Sequence, residues 1–230
     1  MKIPLSKRLQ VCCSLVEPGS RVADIGCDHG YLSIHLLQSG IASSVIASDI
    51  NEQPLCSARR NANKFGVADN IAFYISDGVQ SIPRDFDTLI CAGMGADTMI
   101  SILEAASWLR DSRYRLILQC QSKSPALRAY LSDHGFHIRQ EIPLRDGRFL
   151  YTVMEICYEH CRSLQPGETY FSPPLLQSSD PLALEYYQDV RFRLQRAVEN
   201  QRQKDPIMQL AFEQLKAMNP SESGGSLWLR

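Results

Sequence analysis

Apolar residues recur at helical spacing across residues 5–16, where Leu5, Leu9, Cys12, Cys13 and Val16 share a face and Pro18-Gly19 ends the run. The pattern then changes. Residues 21–25 form a short apolar-rich run that reads as a strand, 26–30 as a loop, and 31–38 as a helix stopped at Gly40. The same alternation repeats down the chain. Strands are expected at 44–49, 71–75, 86–91 and 114–119, and helices at 51–65, 97–109 and 125–134. Asp77-Gly78 marks a turn, and Gly93-Met94-Gly95 is expected to follow a strand end. Two late strands, 136–141 and 149–157, suit an antiparallel pair around Asp146-Gly147.

Strand and helix alternate from residue 21 to about 135, which predicts an α/β fold with a mainly parallel sheet and helices on both faces. Residues 162–181 differ: Pro166-Gly167, Ser172-Pro173-Pro174 and Ser178 to Pro181 read as a turn-rich linker. A long helix follows over 182–204, with Leu184, Tyr187, Val190, Leu194, Ala197 and Val198 on one side. Asp205-Pro206 breaks it. Ile207, Leu210, Ala211, Leu215 and Met218 then supply the stripe of a second helix, and the two suggest an antiparallel hairpin. The expected organisation is therefore a domain over 1–160, a linker over 161–181, a helical hairpin over 182–218 and a frayed tail over 219–230.

Composition narrows the class. At 230 residues and 44% hydrophobic, the chain can bury a core and is not a disordered segment. A net charge of −1 excludes a strongly basic nucleic-acid binder but leaves room for a local basic patch. The first residues lack the apolar stretch of a signal peptide, and no run reaches the roughly 20 apolar residues of a membrane span. The eight cysteines are thus expected to be reduced thiols in a cytoplasmic protein. Cys157, His160 and Cys161, with His134 and His137, lack the paired spacing of a zinc site, so no metal is expected.

Chemistry concentrates in Asp24-Ile25-Gly26-Cys27-Asp28-His29-Gly30, between the first strand of the alternation and its helix. Doubly wound sheets bind ligands at that crossover. Gly26 lets a ligand approach the backbone, and the following helix points free amides at it. A dinucleotide loop would read GxGxxG and cradle a pyrophosphate. Here carboxylates at Asp24 and Asp28 would repel that group. They suit a ligand with a cationic amino group, which favours S-adenosylmethionine (SAM) over a nicotinamide dinucleotide. Asp49, with Ile50 beside it, ends the second strand and can accept both ribose hydroxyls. Asp77 could hold the adenine amino group, with Gly78 leaving room for the ring. Gly93, Met94 and Gly95 would face the methyl group. Each has an ordinary alternative: loop-amide acceptor for Asp24, helix cap for Asp49, turn dipeptide for Asp77-Gly78. Their order along the chain favours the cofactor.

Four segments, Leu5 to Leu9, Ala23 to Leu32, Ala92-Gly93-Met94-Gly95 and Leu116 to Gln119, carry a family likeness. The chain resembles the bacterial tRNA adenine-22 N1-methyltransferases over residues 5–156, and by layout in its carboxy-terminal helices. It departs where the family usually has serine (Cys27), alanine (Gly30), glycine (Ala96) and Pro-Asn (Cys120-Gln121). The resemblance implies a Rossmann-like class I methyltransferase sheet, a carboxy-terminal coiled coil, SAM as cofactor and tRNA as partner. It implies methyl transfer to N1 of an adenine in the D-arm, with the base extruded into the pocket. Asp28 is the candidate to stabilise the charge developing on the ring or to take a proton from N6, and His29 the candidate to hold Asp28 or the base. A helix cap is the plain alternative for Asp28. The Asn-Pro-Pro-Tyr type of motif that holds an exocyclic amine is absent, which disfavours N6 as the target. Lys2, Lys7 and Arg8, then Arg59, Arg60 and Lys64, then Arg191, Arg193, Arg196, Arg202 and Lys204 are candidate phosphate contacts, or simply solvated helix faces. A monomer is the favoured state. The competing readings are a methyltransferase for another RNA site, a small molecule or a protein, and a SAM- or RNA-binding module without turnover.

Overall fold

The computed structural model describes residues 3, 5–159, 161–201, 203–218 and 220. Lys2, His160, Arg202 and nearly all of the expected frayed tail therefore lie outside the described residues.

Hydrophobic alternation builds one seven-stranded sheet, in the order β3-β2-β1-β4-β5-β7-β6. The strands are β1 Ser20–Ile25, β2 Ala42–Asp49, β3 Ile71–Ile75, β4 Thr88–Gly95, β5 Arg115–Ser122, β6 Phe136–Asp146 and β7 Phe149–Tyr158. The first five are parallel, and β7 runs antiparallel between β5 and β6. Adjacent residues on the central strands point to opposite faces, so both faces are apolar. Ala23, Leu89, Cys91, Leu116 and Leu118 pack beneath α4 (Ala96–Glu104) and α5 (Ser124–Asp133). Val22, Ile90 and Ile117 pack beneath α1 (Lys7–Ser14), α2 (Tyr31–Gln38) and α3 (Glu52–Lys64). Cys12 and Cys13 are buried in α1, as small apolar residues on an amphipathic helix should be. From β1 the chain runs outward through β2 and β3, then returns to β4 on the other side. The carboxyl ends of β1 and β4 therefore diverge at a switch point and open a crevice.

Two expectations need correction. Gly93-Met94-Gly95 does not follow the fourth strand but forms its end, because pairing with β5 continues past a register shift at Ala92/Met94. The stretch read as a linker contains two short helices, α6 Pro166–Tyr170 and α7 Pro173–Leu176, and Phe171, Ser172 and Leu175 are fully buried. Its prolines occupy first helical turns, where a missing N–H costs nothing, and Gln165 and Glu168 form a capping box.

The carboxy-terminal helices are α8 Pro181–Glu199 and α9 Pro206–Ala217. Asp205 caps α9 by accepting from the amides of Ile207 and Met208. The pair is antiparallel: Tyr187, early in α8, donates its hydroxyl to the Leu215 and Met218 carbonyls at the end of α9 (2.8 and 3.1 Å). The hairpin is docked rather than free. The fully buried Arg128 of α5 donates to Glu141 of β6 (2.6 Å), to the Thr169 carbonyl (2.9 Å) and to the Tyr186 hydroxyl of α8 (3.2 Å). Ser172 donates its hydroxyl to the second Glu141 oxygen (2.6 Å). One buried ion pair thus ties sheet, α5, α6 and α8 together.

Candidate functional site

The loop after β1 is held in shape by its neighbours. The Gly26 and Cys27 amides donate to the Ser48 carbonyl on β2 (2.8 and 2.9 Å). Gly26 has a left-handed backbone (φ +71°), which favours glycine, and a Cβ there would force the Met94 methyl to move. Asp28 adopts the same region without being glycine (φ 50°). Its amide donates to Asp49 Oδ2 (3.3 Å), while Asp49 Oδ1 accepts from the Asn51 amide (3.0 Å). Asp49 therefore latches the loop to the second strand. Each of its oxygens keeps a further lone pair for a hydroxyl donor.

Loop and strand ends enclose a cavity of about 340 Å³. Asp24, Gly26, Cys27, Asp28, His29, Gly93 and Met94 line it, so the expected methyl-facing and acidic groups meet in one place. Asp24 is 3% exposed and accepts a hydrogen bond from the Ser33 hydroxyl (2.6 Å). Burial, reinforced by the Asp49 charge, pushes its carboxyl up to about 6 against the pull of Ser33. Among the described residues no Lys, Arg or His pairs with Asp24. His29 Nε2 stands 3.5 Å from Asp28 Oδ1, and both side chains are solvent-accessible.

The cavity also recruits residues that the sequence reading did not assign to it. Ser6, Leu9 and Tyr31 contribute wall, and Gln119 and Gln121 close the floor. Buried Gln119 accepts from the Gly93 amide (3.1 Å) and donates to the Cys120 carbonyl (3.1 Å), which fixes the end of β4. The only signal for it was its place at the end of the Leu116 to Gln119 motif.

Other expected residues fall elsewhere. Ile50 is exposed beyond β2, next to an exposed Ile75 that ends β3. At Gly78 an added Cβ would stand 2.8 Å from Ile102 Cγ1, so the glycine admits α4. Asp77 accepts from Gln80 (3.5 Å) and is not in the cavity wall. Gly95 precedes α4 as its N-cap and also lies outside that wall. Arg8 lines the cavity but is engaged, donating to Asp146 (2.7 Å) with its guanidinium over Tyr151. Lys7 is exposed. Arg59 and Arg60 are exposed on α3 beside β2 and β3, with Arg59 over Phe73. Arg191 and Arg196 are exposed on α8 near β6. Arg59 and Arg60 thus lie on the β2–β3 side of the sheet, whereas Arg193 of α8 lines a cavity with the β5–α5 connection and the start of β7, on the other side of the switch point. Among the described residues, no group of three or more His, Cys, Asp or Glu side chains is placed to hold a metal. No helix there is long and apolar enough to cross a membrane.

An acidic cavity with glycines in its wall, at the switch point of this strand order, defines a class I methyltransferase. The chain belongs to the methyltransferase-domain family, whose model matches residues 5–154. A more particular likeness follows. The chain is 32% identical over 154 residues to the Bacillus subtilis tRNA (adenine(22)-N(1))-methyltransferase, covering 66% of this chain and 65% of that protein. The solved structure of the B. subtilis m1A22 tRNA methyltransferase TrmK superposes with a TM-score of 0.78 at 26% identity, covering 94% of this chain and 96% of that one. Streptococcus pneumoniae Sp1610, solved in complex with S-adenosyl-L-methionine, gives a TM-score of 0.82 at 28% identity over 94% of this chain and 99% of that one. The structural likeness therefore runs through the carboxy-terminal helices, well beyond the matched sequence.

Proposed function

We propose that this chain transfers the methyl group of SAM to N1 of the adenine at position 22 in the tRNA D-arm. The observation that carries this reading is the cavity of Asp24, Gly26, Asp28, His29 and Gly93, set in a fold shared almost end to end with the Bacillus m1A22 enzyme.

The residues fit the cofactor. Asp24 is a buried carboxylate without a cationic partner among the described residues, and the ammonium of a methionine moiety would supply one. Gly26 and Gly93 leave the backbone bare where a thioether chain would pass. Asp49 offers lone pairs to ribose hydroxyls, and Ile50 and Ile75 offer apolar surface to an adenine ring, with Asp77 near its amino edge. Bound SAM supplies an electrophilic methyl on a sulfonium. The protein's task is then largely positioning, because adenine N1 already carries a lone pair. Asp28, at the cavity rim in a strained backbone, faces the charge that appears on the methylated ring, and His29 orients Asp28. Exposed Lys7, Arg59, Arg60, Arg191 and Arg196 are placed to contact phosphates, and Arg8 shapes the cavity beside them.

The reading takes the chain as a cytoplasmic monomer. Light scattering of the pure chain, alone and with tRNA, checks the oligomeric part. The activity is tested by incubating native tRNAs with enzyme and SAM and mapping reverse-transcription stops. A stop at position 22 is expected, since N1 methylation blocks pairing. Methyl transfer to a protein or small molecule with no tRNA stop would overturn the proposal.

A further inference from the structure

A second cavity, of about 430 Å³, lies between the sheet and the carboxy-terminal hairpin. Its walls are the β5–α5 connection, the start of β7 and the inner face of α8. Gln121 lines both this cavity and the catalytic one, so the two are neighbours across one side chain. Arg8 of the catalytic cavity also stacks on Tyr151 of the second.

Its lining is amphipathic in a particular way. Phe149 and Tyr151 present rings 6.2 Å apart, and Phe149 is 53% exposed with Arg148 stacked on it. Lys123 and Arg193 bring positive charge. Each is paired, with Asp97 and Asp189 respectively, but these pairs are solvent-exposed. Such pairs are weak, so a phosphate can take over either cation. Lys123 also holds a left-handed backbone (φ 57°), a distinction it shares only with Asp28 among the described non-glycine residues. Strain of this kind persists where surrounding structure enforces it, and Asp28 shows it at the catalytic rim.

Aromatic faces, displaceable cations and amide groups in a nucleoside-sized cavity match the chemistry of an unstacked nucleotide. We infer that this cavity receives a second extruded nucleotide of the substrate RNA, flanking the target adenine. The inference rests on the tRNA reading above. Extruding a base leaves its neighbour unstacked on one side, and capture of that neighbour lowers the cost of extrusion. The pocket thereby reads the context of the target while the catalytic cavity reads the target itself.

The test uses the full chain and ligated tRNAs carrying an abasic nucleotide on either side of position 22. Ala197 is exposed on the α8 wall, so Ala197→Trp fills the cavity without disturbing the core. With intact tRNA, Ala197→Trp is expected to raise KM about 5- to 100-fold, the range for losing one stacked base, with melting temperature and SAM affinity unchanged. One abasic tRNA should cost the wild type a similar factor and cost Ala197→Trp nothing further, since both remove the same contact. If Ala197→Trp melts early, Phe149→Ala replaces it, with the same non-additivity expected. Equal KM for wild type and variant, or fully additive losses, would overturn the pocket and leave the methyltransferase reading standing. A wild type that methylates no tRNA would overturn both.

Discussion

At the residue scale, Asp24 shows how a binding site is built against stability. Its folded pKa of about 6 lies above the ordinary carboxylate value of 3.8, so the folded chain holds more protons than the unfolded one between those values. Stability contributed by this group is present below about pH 4 and lost as pH rises through 6. Asp24→Asn is therefore expected to stabilise the cofactor-free protein by about 1–3 kcal/mol at pH 8, with the gain shrinking at pH 5, in urea titrations. The same variant should lose SAM affinity at every pH, because the ammonium partner is gone. Asp28 divides differently. Asparagine tolerates the left-handed backbone, so Asp28→Asn removes charge without changing the loop. Methyl transfer should fall by about 100-fold or more while calorimetric SAM affinity changes little. An equal loss in affinity would make Asp28 a cofactor ligand instead. Asp24, Gly26 and Asp28 were legible in the sequence because their types and order are themselves the chemistry. Gln119 was not, because its role depends on the Gly93 amide, 26 positions away, lying beside it across β4 and β5.

At the element scale, the junction of α5, β6, α6 and α8 rests on Arg128 and Glu141, both side chains fully inaccessible. Removing one partner leaves the other charge buried and unpaired. Arg128→Met is thus expected to cost about 3–5 kcal/mol in chemical denaturation, and Arg128→Met with Glu141→Leu to recover much of it. A loss below 1 kcal/mol for the single variant would mean that water reaches the site. Helix α8, held by this junction, presents Arg191 and Arg196 outward. Replacing both with alanine should raise KM for tRNA and flatten the dependence of log affinity on log salt by about 1–2. An unchanged slope would place the RNA elsewhere. The strand and helix pattern over 21–135 was legible because the central strands are apolar on both faces while each helix buries one stripe. The helical character of 166–176 was not, since its proline-rich composition also suits turns and only the packing of Phe171 and Leu175 separates the two.

At the scale of the whole molecule, ligand and fold are coupled. A cofactor bound only by the folded chain, at 100 times its dissociation constant, adds about 2.7 kcal/mol, which for a chain of this length corresponds to a rise in melting temperature of about 5–10 °C. Scanning calorimetry with SAM should show that rise, and Gly26→Ala should reduce it, because the backbone there is left-handed and an added Cβ would push the Met94 side chain aside within the cavity. Arg59 and Arg60 lie on the β2–β3 side of the switch point and the basic residues of α8 on the β5–β7 side, so an RNA contacting both is expected to pass the cavity between them.

The amino-acid sequence by itself determined the order of elements over 21–135, the doubly wound class and the acidic glycine loop. These depend on near neighbours: hydrophobic period, turn chemistry and residue type within one crossover. Only the tertiary structure decided which residues share the cavity, that Asp49 latches the loop, that Gly78 makes way for Ile102 and that the hairpin is docked by a buried ion pair. Those facts arise from contacts between segments far apart in the chain, where packing and burial, not local preference, choose the partner.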